Sequence, residues 1–238
     1  MRTNKFMTVV LLSLFLTGFA SAQQKAPQVI KTEPQLEDIF NVLEAMDTHL
    51  FRFDLKEFLN KVYTANVYID EYNADQSPKR VHTIRLGNNI NSLDEVPEEH
   101  RQGFRKIKNI PEGKNEWEAI KELSLYLRKS NDSTAICTIN IPDGIRSGAP
   151  LKLKPIEKYN HYIYYPRPFK TQEITDTEHF KIPLVLYGSA WLDKKYDVIR
   201  FCGEREIDPE MKAEILQYLP SYFVIGIEFK AKETTANQ

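Results

Sequence analysis

Few residues in this chain stand at spacings that do chemistry, and the most chemical of them are two cysteines and one aromatic run. Cys137 and Cys202 both fall on expected strands. An oxidising compartment would join them if their Cα atoms lay within about 7 Å, and the closed loop would contribute about 4 kcal/mol by the loop-entropy account. Two separate buried thiols acting as small apolar side chains are the alternative. The aromatic run is Tyr159-Asn160-His161-Tyr162-Ile163-Tyr164-Tyr165-Pro166-Arg167-Pro168-Phe169. On a strand, Tyr162 and Tyr164 share one face, and His161, Ile163 and Tyr165 the other. One face then presents rings with polar tips, the chemistry of a partner interface or a sugar-stacking platform, with Arg167 as a charged donor beside it. Tyr162, Tyr164, Tyr165 and Arg167 are accordingly the candidate ligand- or partner-binding residues. The plainer alternative is that tyrosine is a good strand former whose ring covers a sheet and whose hydroxyl reaches water.

Catalytic and metal signatures do not accompany them. The five histidines, His49, His82, His100, His161 and His179, include no pair at the short spacing that marks a zinc site, so no metal site is assigned. The chain has no G-x-S-x-G elbow, no H-E-x-x-H, no P-loop and no G-x-G-x-x-G turn. Carboxylate pairs such as Glu98 and Glu99, or Glu204 and Glu206, are commonplace where 27% of residues are charged. No catalytic residue and no cofactor follows.

The N-terminus reads as an address. Arg2 and Lys5 form a positive segment, Phe6 to Phe19 an apolar one, and Ala20-Ser21-Ala22 a small-residue cleavage site, so residues 1–22 read as a signal peptide cut between Ala22 and Gln23. Thr8, Ser13, Thr17 and Gly18 interrupt an apolar run already short of the roughly 18–20 residues a bilayer span needs. Gln23 and Gln24, rather than a cysteine, follow the cut, so no lipid anchor is expected. The mature chain is expected to be soluble and periplasmic or secreted, without a membrane span. The full chain has 32 basic and 33 acidic residues; loss of Arg2 and Lys5 leaves 30 against 33, interleaved along the chain. That balance argues against nucleic acid, which requires a basic face.

The elements that must position any site follow from periodicity. After a flexible leader at 23–33, one domain is expected over 34–231, with a seam near the Gly/Pro-rich 142–150 and a disordered tail at 232–238. Leu36, Ile39, Phe40, Leu43 and Met46 recur at helical spacing, predicting an amphipathic helix that docks on a sheet. Phe51 and Phe53 alternate with charges as a half-buried strand does. Hairpins are predicted over 63–86 around the 73–78 turn, over 123–141, and over 181–203 around Asp193-Lys194-Lys195. A helix starting at Trp117 competes for the first half of the second hairpin. Ser92 and Glu95 resemble a capping box before a short helix at 97–107, and Asp208-Pro209 is placed to start another helix through Leu219. The last strand, YFVIGIEFK, is apolar on both faces in its first half and belongs near the centre of a sheet. The fold class is therefore α+β: a mainly antiparallel sheet built from hairpins, with a few short packing helices.

The strings RFDLKEFLNKVYTANVYIDEYN, HTIRLGNNI, IPLVLYGSAWLDKKYDVIRFCGE and YFVIGIEFK resemble a family of uncharacterised exported proteins of gut Bacteroidetes, a domain of unknown function. The resemblance spans nearly the whole mature chain and implies an envelope or secreted setting. It supplies no catalytic or binding residue.

The sequence thus favours a non-enzymatic binding or interaction module of the bacterial envelope, with a glycan or an envelope protein as candidate partner. The alternative is an envelope or glycan hydrolase whose carboxylates meet only in the fold. A pocket joining two carboxylates about 5–9 Å apart and lined with aromatics would mark the hydrolase, and a flat exposed aromatic patch the binding module. A structural envelope component would have neither.

Overall fold

Alternation at period two sorts the side chains of most of this chain into an inward and an outward set, and the inward sets of two sheets meet. The computed structural model describes residues 29–73 and 76–232. The chain divides into compact units at Met1–Asp38 and Ile39–Gln238. Of the first unit, residues 29–35 are irregular and exposed, and helix α1, Leu36–Ala45, begins at its end. The second unit holds the fold. The expected signal peptide with its expected Ala22/Gln23 cut, residues 74 and 75, and the residues from 233 on lie outside the described residues.

One sheet has the order β1-β6-β7-β8, formed by Thr48–Asp54, Glu122–Asn131, Thr134–Asn140 and Arg146–Lys152. The other has the order β3-β2-β13-β10-β9: Gln76–Asn88, Tyr63–Asn73, Ser221–Ala231, His179–Ser189 and Tyr164–Pro168. Every pairing in both sheets is antiparallel. Leu123, Leu125 and Leu127 of β6 and Cys137 and Ile139 of β7 share one buried cluster with Val67 and Ile69 of β2 and Phe223, Ile225, Ile227 and Phe229 of β13. Two sheets joined by such a core form a β-sandwich, which among the described residues is mainly antiparallel β with two short helices, broadly α+β. At one margin His82 Nε2 hydrogen-bonds the Pro150 carbonyl at 2.8 Å, linking β3 to β8. A second cluster lies on the outer face of the five-stranded sheet, where Phe169, Ile207, Ile215 and Leu219 pack on Tyr68, Leu186 and Val224.

The strand near Phe51, the first two hairpins, the helix at 97–107 (here α2, Glu98–Ile107) and the central last strand all form as the periodicity predicts. Other expectations are corrected. The third hairpin closes only beside its Asp193-Lys194-Lys195 turn, where β11 (Trp191–Asp193) pairs with β12 (Val198–Arg200); the rest of its first arm, β10, pairs with β13 and β9 instead. The helix expected through Leu219 reduces to a 3-10 turn at Glu214–Gln217, because Ile215 and Leu219 are drawn down onto the sheet. No helix starts at Trp117; Glu116–Glu118 is strand β5, paired with β4, Ile90–Ser92. Ser92 caps a 3-10 turn at Leu93–Glu95 rather than α2, its Oγ accepting the Asp94 N–H at 3.1 Å. The 142–150 stretch is largely strand, with Gly148 and Pro150 paired to Thr138 and Ile136. The apolar face of α1 does not dock on a sheet, for Ile39, Phe40 and Val42 are exposed. Helical spacing dictates that such a face exists, not what covers it, and here the inner faces of the two sheets already cover each other.

Candidate functional site

Buried Asn89 builds one end of the sandwich. Its Oδ1 accepts the Tyr63 N–H at 2.7 Å and the Ile90 N–H at 2.9 Å, and its Nδ2 donates to the Phe58 and Lys61 carbonyls at 2.6 and 3.0 Å. Its own carbonyl accepts the Ala119 N–H at 2.7 Å, which fixes the ribbon of β4 and β5 against the start of β6. Arg105 on α2 donates to the Pro111 and Lys114 carbonyls at 2.6 and 2.7 Å, tying the loop after the helix to the helix itself. Gly113 sits at φ +81°, a conformation glycine adopts freely, and lets that loop turn back toward β5. Lys108 Nζ reaches the Asp143 carbonyl at 3.0 Å and so holds the loop at 141–145 on the opposite wall.

Between these walls lies a cleft of about 910 Å³. Its floor is the buried apolar set Leu86, Ile110, Ile120 and Ile141. Trp117, half-buried, with Phe104 at 6.1 Å behind it, and exposed Ile107 supply an apolar wall. The rim alternates Lys56, Lys114 and Lys121 with Glu116, Glu118 and Asp143. Glu118 is ion-paired to Lys121 at 3.0 Å, and Glu122, also on the rim, to Arg52. An apolar base with a small number of convergent polar groups is the usual make-up of a ligand pocket of this size.

The residues singled out from sequence lie elsewhere and are engaged in packing. Tyr164, on the inward side of β9, is buried against Tyr187 at 5.2 Å, and its hydroxyl accepts the Lys154 N–H at 3.0 Å. Tyr162 precedes the strand and packs on the core, its carbonyl accepting Lys129 Nζ at 2.9 Å. Tyr165 stacks on Phe201 at 4.8 Å. Arg167 is buried and donates to the Glu204 and Phe201 carbonyls at 3.1 and 2.5 Å; burial pulls its pKa below the ordinary guanidinium value. The expected aromatic platform is thus not assembled, because β9 turns Tyr164 into the core and the 201–207 segment covers its other side. The expected bridge is not made either: both cysteines are free. Cys137 is wholly buried between Leu127 and Ala149, where burial pushes its thiol up to about 12, whereas Cys202 is exposed.

Two groups lie outside the residues singled out from sequence. Trp117 was legible only as a helix start, although a tryptophan flanked by Glu116 and Glu118 in a segment entered through Pro111 and Gly113 was a usable signal. On the outer face of the five-stranded sheet, Tyr68 lies beneath the Arg80 guanidinium at 4.8 Å and Lys181 Nζ at 5.8 Å, and Tyr72 stacks on Tyr222 at 4.7 Å. Alternation of Tyr68, Asp70 and Tyr72 with Val67 and Ile69 was the signal there. Among the described residues, no cluster of His, Cys, Asp or Glu could hold a metal ion, and no helix is long and apolar enough to cross a membrane.

Fold and cleft together define an antiparallel β-sandwich with a ligand-sized cleft at one end. Residues 18–231 match the family described as a domain of unknown function, DUF5041, and the chain belongs to that family. No curated protein matches it.

Proposed function

We propose that this chain is an exported, non-enzymatic binding module of the bacterial envelope whose cleft takes a polar ligand with one apolar face, a glycan segment being the nearest chemical class. The observation that carries the reading is the cleft's division of labour. Trp117 and the Ile110, Ile120 and Ile141 floor offer apolar surface to the C–H face of a sugar ring, while Asn91, Lys114 and Glu116 stand around it as donors and acceptors for hydroxyls. A glycoside hydrolase would need one rim carboxylate held protonated near neutral pH. Glu118 and Glu122 are each committed to a cation. At those two positions the pairing favours binding over acid catalysis.

Export rests on the leader, and its test is the N-terminus of protein recovered from the native envelope, expected at Gln23. The cleft is tested by calorimetric titration of an oligosaccharide panel against the mature chain. We expect saturable binding that Trp117→Ala weakens at least tenfold while thermal stability changes little. No saturable binding by any oligosaccharide, or hydrolysis of one, would overturn the reading.

A further inference from the structure

The covering segment at 201–219 reaches only part of the outer face of the five-stranded sheet. Pairing register places Arg85 of β3, Asn66 of β2, Glu228 of β13 and Lys181 of β10 in one row across four strands. The next row, one pleat further on, runs Asn88, Thr64, Lys230 and His179. At about 4.8 Å between strands, the first row extends over roughly 14 Å of surface. Arg85, Lys181, Lys230 and His179 are exposed, and among the described residues Arg85 and Lys230 form no ion pair.

Tyr68 forms the floor beside this row. Its ring lies flat over Gly226, where a Cβ would collide with the ring's Cζ and hydroxyl, and it holds Arg80 and Lys181 above it. Arg80 pairs with Asp70; Glu228 accepts from His179 at 2.8 Å and stands 3.7 Å from Lys181. The face therefore carries four fixed cations, Arg80, Arg85, Lys181 and Lys230, against two carboxylates, on a chain whose formal charge is −1.

We infer that this sheet face binds an acidic polysaccharide, a surface separate from the cleft and sharing none of its residues. Charge complementarity calls for an anionic partner. The interleaving selects its class: Glu228 and Asp70 inside the patch repel a continuous phosphate backbone, but they accept hydrogen bonds from sugar hydroxyls. Asn66, Thr64 and Thr83, on the same face, add neutral donors and acceptors. A chain that alternates carboxylate or sulfate groups with hydroxyls matches that pattern, and nucleic acid does not.

The test is affinity electrophoresis of the mature chain through gels containing polygalacturonate, dextran sulfate, neutral dextran or a DNA duplex. Retardation is expected in one or both acidic polysaccharides, weakening with salt, and not in neutral dextran. Arg85→Ala/Lys181→Ala/Lys230→Ala, all at exposed positions and checked for folding by circular dichroism, should reduce it at least tenfold. Trp117→Ala in the cleft should leave it unchanged, so the two sites fail separately. Retardation by neither acidic polymer, equal retardation by DNA, full retention in the folded triple variant, or loss in Trp117→Ala would each overturn the inference. Should the triple variant not fold, Lys230→Glu alone gives the same reading.

Discussion

Gly226 sets a surface by lacking a side chain. Tyr68 lies flat against the strand because nothing rises from Gly226 beneath it, and the ring then carries two cations. Gly226→Ala should lower stability by about 1–3 kcal/mol in urea unfolding, the usual cost of overpacking. A Cβ there would meet both the Tyr68 ring and, at 2.5 Å, the Ile182 carbonyl, so adding Tyr68→Ala should relieve only part of the cost and leave the pair modestly less than additive. The chemistry at this scale was only partly legible. The alternation of Tyr68 and Tyr72 with Val67 and Ile69 carried the signal for the outer face, but the candidate binding residues came from the densest aromatic run, at 159–169. Sequence adjacency concentrates rings; it does not say which strand face another segment covers. Arg167 shows this most plainly, since its burial depends on carbonyls 34 and 37 residues away.

At the level of elements, strands that alternate were readable and elements that depend on distant cover were not. The β2–β3 and β6–β7 pairs carry their pattern locally, through Val67 and Ile69, or Leu123, Leu125 and Leu127. The segment from Asp208 to Leu219 has helical spacing, but Ile207, Ile215 and Leu219 find their partners on the outer sheet face, and only a 3-10 turn survives. Likewise β10 lies between β13 and β9, because β13 offers an apolar ladder that the short β12 does not. The cleft was not legible, since its walls come from α2, the β4–β5 ribbon and the 141–145 loop, joined by single polar side chains. Asn89 is the chief of these. Asn89→Ala would leave the Tyr63 and Ile90 N–H groups without their acceptor, and a cost of about 2–4 kcal/mol is expected from such orphaned donors. The fluorescence of Trp117, measured in a Trp191→Phe background, should shift to the red as the ribbon loosens.

For the molecule as a whole, titration behaviour bounds the range in which the fold holds. Burial pushes the Cys137 thiol and the Tyr222 hydroxyl each up to about 12, from ordinary values near 9 and 10. Their neutral forms are favoured when folded, so the unfolded chain ionises first. Stability is full below about pH 9 and falls as pH rises toward 12, by at most about 1.4 kcal/mol per pH unit for each fully buried group and less for half-exposed Tyr222. On the acid side, burial raises the proton affinity of Glu228, but its hydrogen bond to His179 and the charges of Lys181, His179 and Arg80 outweigh that and hold it low. That contribution is complete above the ordinary carboxylate range near 4.5 and disappears as pH falls through the depressed value. Burial holds the His49 pKa below its ordinary 6.5, so the unfolded chain takes up that proton first, and urea midpoints measured across pH should form a plateau only between about 6.5 and 9 with a descent on either side. A midpoint still rising at pH 10–11 would contradict the burial of Cys137.

The outermost strands carry one more consequence. The outermost strands of the two sheets are β1, β8, β3 and β9, rows of backbone groups that another copy could extend except where the Pro168 carbonyl of β9 already accepts the Ile207 N–H at 2.9 Å. β9 contains Pro166 and Pro168, β8 contains Pro150, and β3 has Pro78 at its start and irregular register with β2. Proline withholds the donor that a newly added strand would need, and a broken register spoils the template. Prolines that look like strand-enders in the sequence thus disfavour fibrillar extension of β3, β8 and β9, whereas β1 carries none.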